Sequence, residues 1–369
     1  MPYMKYNDRN SALSVVWTML LAVLAIPFSA GCADPRPDGD IVLEAETTVK
    51  AINGYGQAVL EMPASGFMAL GFEFGDVLDV EAGTGSYPNV PFYSGFYVSR
   101  GEPMVSVSQE TGDLFMTRNY TGVSFTMAQE LEVGDAVTIV MARKGGCRVV
   151  EETMSLSYVD DRSKFASDSV FANARCVSTT GIKQGVLFRS ASPVDNKRGR
   201  AAYASEIARE NGINCVLNLS SDSASLSNDL PEYAAKLVDE DKVIFARMGV
   251  DFENLANIQI LVDGLTRMAH CDGPYLIHCL EGKDRTGFVC MLLEMLCGAT
   301  TEEMCQDYML TYSNYYGITK ENAPEKYDCI LEMNLTPMFD LVGTDAAEYL
   351  ESFGMKDSDI TLLRSKLTE

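Results

Sequence analysis

The chain is poor in histidine. It has two in 369 residues, His270 and His278, so a histidine-rich metal centre is excluded. Its ten cysteines form no Cys-x-x-Cys pair and no zinc-like spacing. No metal site and no cofactor is expected. Basic residues are scarce as well: 29 Lys and Arg stand against 52 Asp and Glu, for a net charge of −23. That balance argues against binding nucleic acid, or an anionic membrane by bulk charge. Long apolar runs are missing too, with one exception.

The exception lies at the N-terminus. Lys5 and Arg9 precede an almost wholly apolar run from Ala12 to Phe28, and Ser29-Ala30-Gly31-Cys32 follows. A basic segment, an apolar segment and a small-residue processing site make an export leader. Ala-Gly-Cys resembles a bacterial lipobox, in which Cys32 is lipidated and becomes the mature N-terminus. Ser29 stands where leucine is usual. Residues 1–32 are expected as a lipoprotein signal and 33–40 as a polar tether, giving an exported chain that is lipid-anchored in the membrane or secreted. A lone transmembrane anchor is the alternative, its apolar run at the short end of the spanning range. Nine cysteines remain beyond Cys32, and an oxidising compartment would normally pair them. Yet Cys290 and Cys297 share one helical face, and Cys215 falls in a strand pattern. They are expected as buried free thiols. The alternative makes one of the pair a redox partner for Cys279.

Residues 41–143 alternate apolar and polar in short runs broken by glycine, among them GQAVLEM, GFMALGF, DVLDVEA, FYSGFYVS and AVTIVMA. This predicts a small all-β domain. FEFGDVLDVEA (72–82) is echoed by LEVGDAVTIVMA (131–142). In each, glycine takes an unusual backbone angle and aspartate closes the turn. The pair resembles the Gly-Asp box of small β-barrels built from two interleaved ββ units. No catalytic constellation falls here, so a targeting or protein-contact role is expected.

Residues 144–164 are polar and read as a linker. From 165 to 369 the pattern changes to alternating strands and helices, which predicts an α/β domain with a mostly parallel central sheet covered by helices. GVLFRSA, INCVLNL, KVIFARMGV and PYLIHC read as strands; RAAYASEIARENG, LPEYAAKLVDED, ENLANIQILVDGLTRMAHC and RTGFVCMLLEMLCG as helices. Thr301 signals the start of the next helix and Gly317 its stop. The remainder is helical.

The chemistry concentrates between PYLIHC and RTGFVC. The strand ends at Cys279, and the chain must reverse within Leu280-Glu281-Gly282-Lys283-Asp284 before a helix opens near Arg285. Gly282 supplies the permissive turn. Such a loop points successive N–H groups inward, and the helix N-terminus adds partial positive charge. Arg285 can grip two phosphate oxygens with its planar fork. A thiol at the centre is placed to react as its thiolate, a nucleophile aimed at phosphorus.

His-Cys-x5-Arg-Thr, following an apolar strand and opening an apolar helix, is the signature of cysteine-dependent phosphatases. HCLEGKDRTG closely resembles the loop of the bacterial tyrosine/dual-specificity phosphatase family that carries Lys-Asp before the arginine. Residues 168–193, NGINCVLNLS and the closing helices resemble that family too, with one departure at Asn173-Ala174-Arg175, which Cys176 follows. The resemblance implies a cysteine-dependent phosphatase fold. It implies that Cys279 is the nucleophile, Arg285 binds phosphate, His278 holds the loop, and Thr286 serves the sulfur. Leu280, Glu281, Gly282, Lys283 and Asp284 complete the phosphate-binding loop. Asp284 is the candidate general acid, with Asp222 and Asp251 next in line. Each has a plainer reading: His278 as a core histidine, Asp284 as a helix cap, Lys283 as a surface charge, Glu281 as an outward residue, Arg175 and Arg189 as structural ion pairs. The expected substrate is a phosphorylated protein. A phosphoinositide, or phosphate binding without turnover, are the alternatives.

Overall fold

The computed structural model describes residues 43–119 and 126–369. The expected leader with Cys32 and the tether at 33–40 lie outside the described residues. Among those described, no helix is long and apolar enough to cross a membrane.

Seven strands build the N-terminal region: β1 (Glu44–Ile52), β2 (Ala58–Pro63), β3 (Val77–Ala82), β4 (Gly85–Pro91), β5 (Pro103–Val107), β6 (Asp113–Arg118) and β7 (Ala136–Arg143). They run in the order β4-β3-β7-β1-β2-β6-β5, every neighbouring pair antiparallel. A bridge between Phe92 and Val105 brings the two ends together, so the sheet is a nearly closed barrel. The two Gly-Asp segments occupy matching turns. Gly75 and Gly134 have φ of +90° and +98°. Asp76 Oδ2 accepts from the Glu73 N–H at 2.7 Å, and Asp135 Oδ2 from the Glu132 N–H at 2.8 Å. The strands that follow them, β3 and β7, lie side by side, so the sequence echo is a repeat in space.

Two runs differ from the strands expected of them. GFMALGF falls partly in helix α1 (Ala64–Ala69). Pro63 ends β2, and Ala64 and Phe67 then reach the core one turn apart, where Phe67 stacks on Phe72 at 4.1 Å. FYSGFYVS is irregular, with Phe92 and Tyr93 anchored inward. Conversely, β4 carries two prolines and no alternating signal. At the end of the sheet order, fewer of its N–H groups are needed for pairing.

The second sheet holds β8 (Arg175–Cys176), β9 (Leu187–Ser190), β10 (Cys215–Asn218), β11 (Val243–Phe245) and β12 (Tyr275–His278), in the order β11-β10-β12-β9-β8. All neighbours are parallel except β8 and β9. The strand leading into Cys279, β12, is thus the middle one, buried on both faces, which is why it reads as an unbroken apolar run. Around the sheet lie α4 (Ala201–Glu210), α5 (Glu232–Asp239), α6 (Leu255–Ala269), α7 (Asp284–Cys297) and α8 (Thr301–Tyr316), followed by shorter helices to Thr368. Gly298, in the left-handed region at φ +93°, ends α7. Thr300, one residue before the expected signal, caps α8 in a reciprocal pair with Glu303. The nine described cysteines are free thiols. Cys290 is buried as expected, whereas Cys297 is only half-buried, because it ends α7 at the edge of the core; burial pushes Cys290 up to about 12 and Cys297 to about 11.

Residues 144–164 are not bare linker. They carry α2 (Arg148–Met154) and a short 3-10 turn at Arg162–Lys164. Helix α2 faces both halves: Glu151 accepts from the Ser94 N–H at 3.0 Å, and Glu152 pairs with Lys326 at 3.0 Å. Arg100, on a barrel loop, pairs with Asp251 at 3.0 Å and Glu253 at 2.7 Å.

Candidate active site

Cys279 follows the middle strand directly and is buried. Five residues later α7 begins, so the chain reverses tightly. Gly282 makes this possible, with φ of +66°. A Cβ there would stand 2.3 Å from the Ser190 carbonyl oxygen, a distance no side chain tolerates. The turn therefore demands glycine for both angle and space.

The loop carbonyls are all bound from outside. The Cys279 carbonyl accepts from His278 Nδ1 at 3.0 Å and that of Leu280 from the Ser192 N–H at 3.1 Å. The Glu281 carbonyl accepts from the Tyr315 hydroxyl at 2.6 Å. That of Gly282 accepts from Asn173 Nδ2 at 3.1 Å and Arg189 Nη2 at 3.0 Å. In a trans peptide the N–H points away from the preceding C=O. Pinning these four carbonyls outward therefore turns the N–H groups of Leu280, Glu281, Gly282 and Lys283 to the other side, into the hollow beside Cys279. None of these N–H groups donates to a described residue. With the N-terminus of α7 they form a nest for a tetrahedral anion.

The outer supports are themselves held. Asp307 on α8 binds Arg189 Nη1 at 2.5 Å and Arg175 Nε at 2.9 Å, all three nearly excluded from solvent. Burial works against its charge, but the two guanidiniums outweigh it and hold the carboxyl down at about 2. Asn173, at φ +50°, also accepts from Arg175 Nη1 at 2.9 Å. The Asn173-Ala174-Arg175 segment thus supports the loop despite Cys176 behind it. Ser192, Asp307 and Tyr315 do not stand out in the sequence, and Asn173 does so only as part of the Asn173-Ala174-Arg175 segment. The signal available for Asp307 is an acid on the helix face that also carries Met304, Tyr308 and Thr311.

His278 is fully buried. A carbonyl can only accept, so Nδ1 carries the proton, and Nε2 has no partner among the described residues. Burial pushes the ring down to about 4, with Arg285 adding to the effect. The neutral ring holds the loop through one nitrogen and brings no positive charge to it. Its folded value lies below the ordinary 6.5, so its contribution to stability is complete above pH 6.5. It is lost as pH falls toward 4, by up to about 3 kcal/mol. Urea midpoints of wild type and His278→Gln should therefore converge across that window. Parallel curves would show that His278 takes up its proton in both states alike.

Arg285 lies across the hollow, where its Nη1 donates to the Leu219 carbonyl at 3.1 Å and the Met248 carbonyl at 3.2 Å. Its Nε and Nη2 are not engaged by described residues. The Thr286 hydroxyl is buried without a hydrogen-bond partner. Asp284, the first residue of α7, keeps its side chain 42% exposed, and Lys283 Nζ stands 3.8 Å from it. Desolvation raises its carboxyl above the usual range; Glu281 adds to this, while Lys283 and Arg285 oppose it. Lys283 lies over the rings of Tyr158 and Tyr312, at 5.3 and 5.6 Å. The Glu281 side chain turns away, taking the Tyr158 hydroxyl and Arg198 Nη2 at 3.0 Å, so its offering to the hollow is its N–H alone. The structure brings these loop residues together, and leaves the other two acids committed elsewhere. Asp222 binds Arg247 at 2.7 Å and caps a 3-10 turn, and Asp251 binds Arg100.

Residues 172–369, more than half the chain, match the tyrosine phosphatase family. No curated protein matches the chain. Similar solved structures include an uncharacterised conserved protein from Thermotoga maritima, 23% identical over 26% of this chain, with a TM-score of 0.23. The chain spans 35% of that protein's length. TpbA from P. aeruginosa in complex with pTyr is 14% identical over 50% of this chain and 96% of that one, with a TM-score of 0.28. The core catalytic domain of the PP-IP phosphatase SIW14 from S. cerevisiae is 14% identical over 46% and 94%, with a TM-score of 0.26.

Proposed function

The chain belongs to the tyrosine phosphatase family, and on that premise we propose that it hydrolyses phosphate monoesters, phosphotyrosine first among them, through a cysteinyl-phosphate on Cys279. The observation that carries this reading is the ring of outward-pinned carbonyls, which turns four N–H groups toward one buried cysteine at the start of a helix. Those donors and the unengaged edge of Arg285 hold the three non-bridging phosphate oxygens and the charge that spreads over them in the transition state. The Cys279 thiolate attacks phosphorus. The bond to the leaving oxygen breaks, and that oxygen takes the proton of Asp284. Water then attacks phosphorus and gives a proton to the Asp284 carboxylate. The P–S bond breaks, its electron pair returns to sulfur, and the Thr286 hydroxyl, unpartnered at present, donates to it.

Asp284 suits the proton's role because it stands at the mouth of the hollow with a raised carboxyl. Asp284→Asn should slow an alkyl phosphate by about 10²–10⁴-fold, the usual worth of general acid catalysis. It should slow formation of the intermediate from p-nitrophenyl phosphate only slightly, since that leaving group needs no proton. Equal losses on both would leave Asp284 as a support for Arg285 and turn attention to Asp222 and Asp251.

One observation favours a second substrate class. Lys283 is held at the rim by two aromatic rings, placing a cation where a second phosphate would lie. Rates on phosphotyrosine peptides and on soluble inositol phosphates, compared in wild type and Lys283→Met, separate the two. A loss confined to inositol phosphates favours the second class.

A further inference from the structure

We propose that Tyr158, which lies ahead of the segment matching the family, is a positioning residue of the phosphate loop; the inference rests on the phosphatase reading above. The family match begins at residue 172, and the sequence reading put Tyr158 in a linker. Yet its hydroxyl donates to Glu281 Oε2, while Arg198 holds Oε1 at 3.0 and 3.2 Å. The same ring carries Lys283 Nζ at 5.3 Å and the Arg198 guanidinium at 4.5 Å. Its edge packs at 5.7 Å on Tyr315, whose own hydroxyl binds the Glu281 carbonyl.

The segment around it is anchored as well. Arg200, 1% exposed, takes the Val159 carbonyl at 2.9 Å and Asp160 at 2.5 Å, and Asp160 also meets Arg198 at 3.2 Å. This is a built contact between residues 158–160 and the family domain. Burial raises the Tyr158 phenol well above its ordinary range, with Glu281 adding to it, so it remains a neutral donor.

The physical need for such a support lies in Gly282. A residue without a side chain, in the left-handed region, does not restrict its own peptides. Order must come from its neighbours. Tyr158 grips Glu281 through its hydroxyl and Lys283 through its face, one on each side of Gly282. Releasing both leaves the peptides around Gly282 held by their carbonyl bonds alone, so their N–H groups are less firmly aimed into the hollow. That weakens phosphate binding and slows the attack together.

The test uses the full chain with Tyr158→Phe, Tyr158→Leu, Glu281→Gln and the Phe/Gln double variant. Turnover of p-nitrophenyl phosphate gives kcat and KM. Titration calorimetry with inorganic phosphate reads the cradle independently of turnover. A hydrogen bond to a charged partner is worth from about tenfold to about a hundredfold, and the lower figure suits a residue that acts through another. Tyr158→Phe and Glu281→Gln are each expected to lower kcat/KM by about tenfold and weaken phosphate by several-fold. The double variant should fall well short of the product of the two singles, since both act on the Tyr158–Glu281 bond, although Glu281→Gln also gives up the Arg198 ion pair. Tyr158→Leu should be worse than Phe, because it also frees Lys283. Effects of Phe and Gln that multiply, or phosphate binding within twofold of wild type in Tyr158→Leu, would overturn the proposal. Wild type that binds phosphate but hydrolyses no monoester would instead sink the phosphatase reading, and the calorimetry would still decide the role of Tyr158.

Discussion

Cys279→Ser is expected to lose about 10⁴-fold or more in kcat while binding inorganic phosphate about as well as wild type. A serine hydroxyl is a far weaker acid than a thiol and stays a poor nucleophile unless a strong base activates it. The nearby imidazole, His278, donates from Nδ1 to the Cys279 carbonyl, and burial holds its ring down at about 4, which makes it a weak base. Loss of a covalent nucleophile typically removes several orders of magnitude. The cradle, by contrast, depends on Asn173, Ser192, Arg189 and Tyr315, none of which needs the sulfur. Rate and phosphate affinity should therefore separate. Residual turnover above about 1% of wild type would contradict a covalent route through Cys279.

Asp307→Asn is expected to have the largest effect on stability. It removes the carboxylate that pairs Arg175 with Arg189 and leaves the guanidiniums, that of Arg189 1% exposed, without their ion-pair partner. Breaking a buried ion pair from one side costs about 3–5 kcal/mol, readable as a fall in the denaturant midpoint. Activity should fall too, although Asp307 faces no substrate, because Arg189 also holds the Gly282 carbonyl. The sign with pH is fixed by the depressed carboxyl. The stabilisation is complete above the ordinary value of about 4 and is lost as pH falls toward the folded value of about 2. The gap between wild type and variant should therefore narrow below pH 4. A gap under about 1 kcal/mol at neutral pH would mean that the two arginines find other partners.

The loop was legible because its requirements are local. A strand buried on both faces, a glycine and a helix start can all be read from PYLIHCLEGKDRTG, and the fold class followed from the alternation around it. The barrel was legible through its Gly-Asp turns, since each turn closes on its own aspartate. Ser192, Asp307 and Tyr315 were not legible, and the role of Asn173 was not, because they reach Gly282 and its neighbours from segments distant in sequence. Tyr158 was hidden for a further reason: its surroundings are polar and give no periodic signal. The helix at Ala64–Ala69 was missed because GFMALGF alternates like a strand, while the Phe67–Phe72 stack that decides it is a tertiary contact.

The most direct measurement exploits the separation of the two steps. Asp284→Asn is given phosphorus-labelled p-nitrophenyl phosphate, whose leaving group needs no acid, and the reaction is quenched in its first turnover and mapped by peptide. The account predicts a burst of nitrophenol and a matching phosphoryl group on the Cys279 peptide, with neither when Cys279→Ser is added. Label on any other residue, or a burst with no label on Cys279, would contradict it.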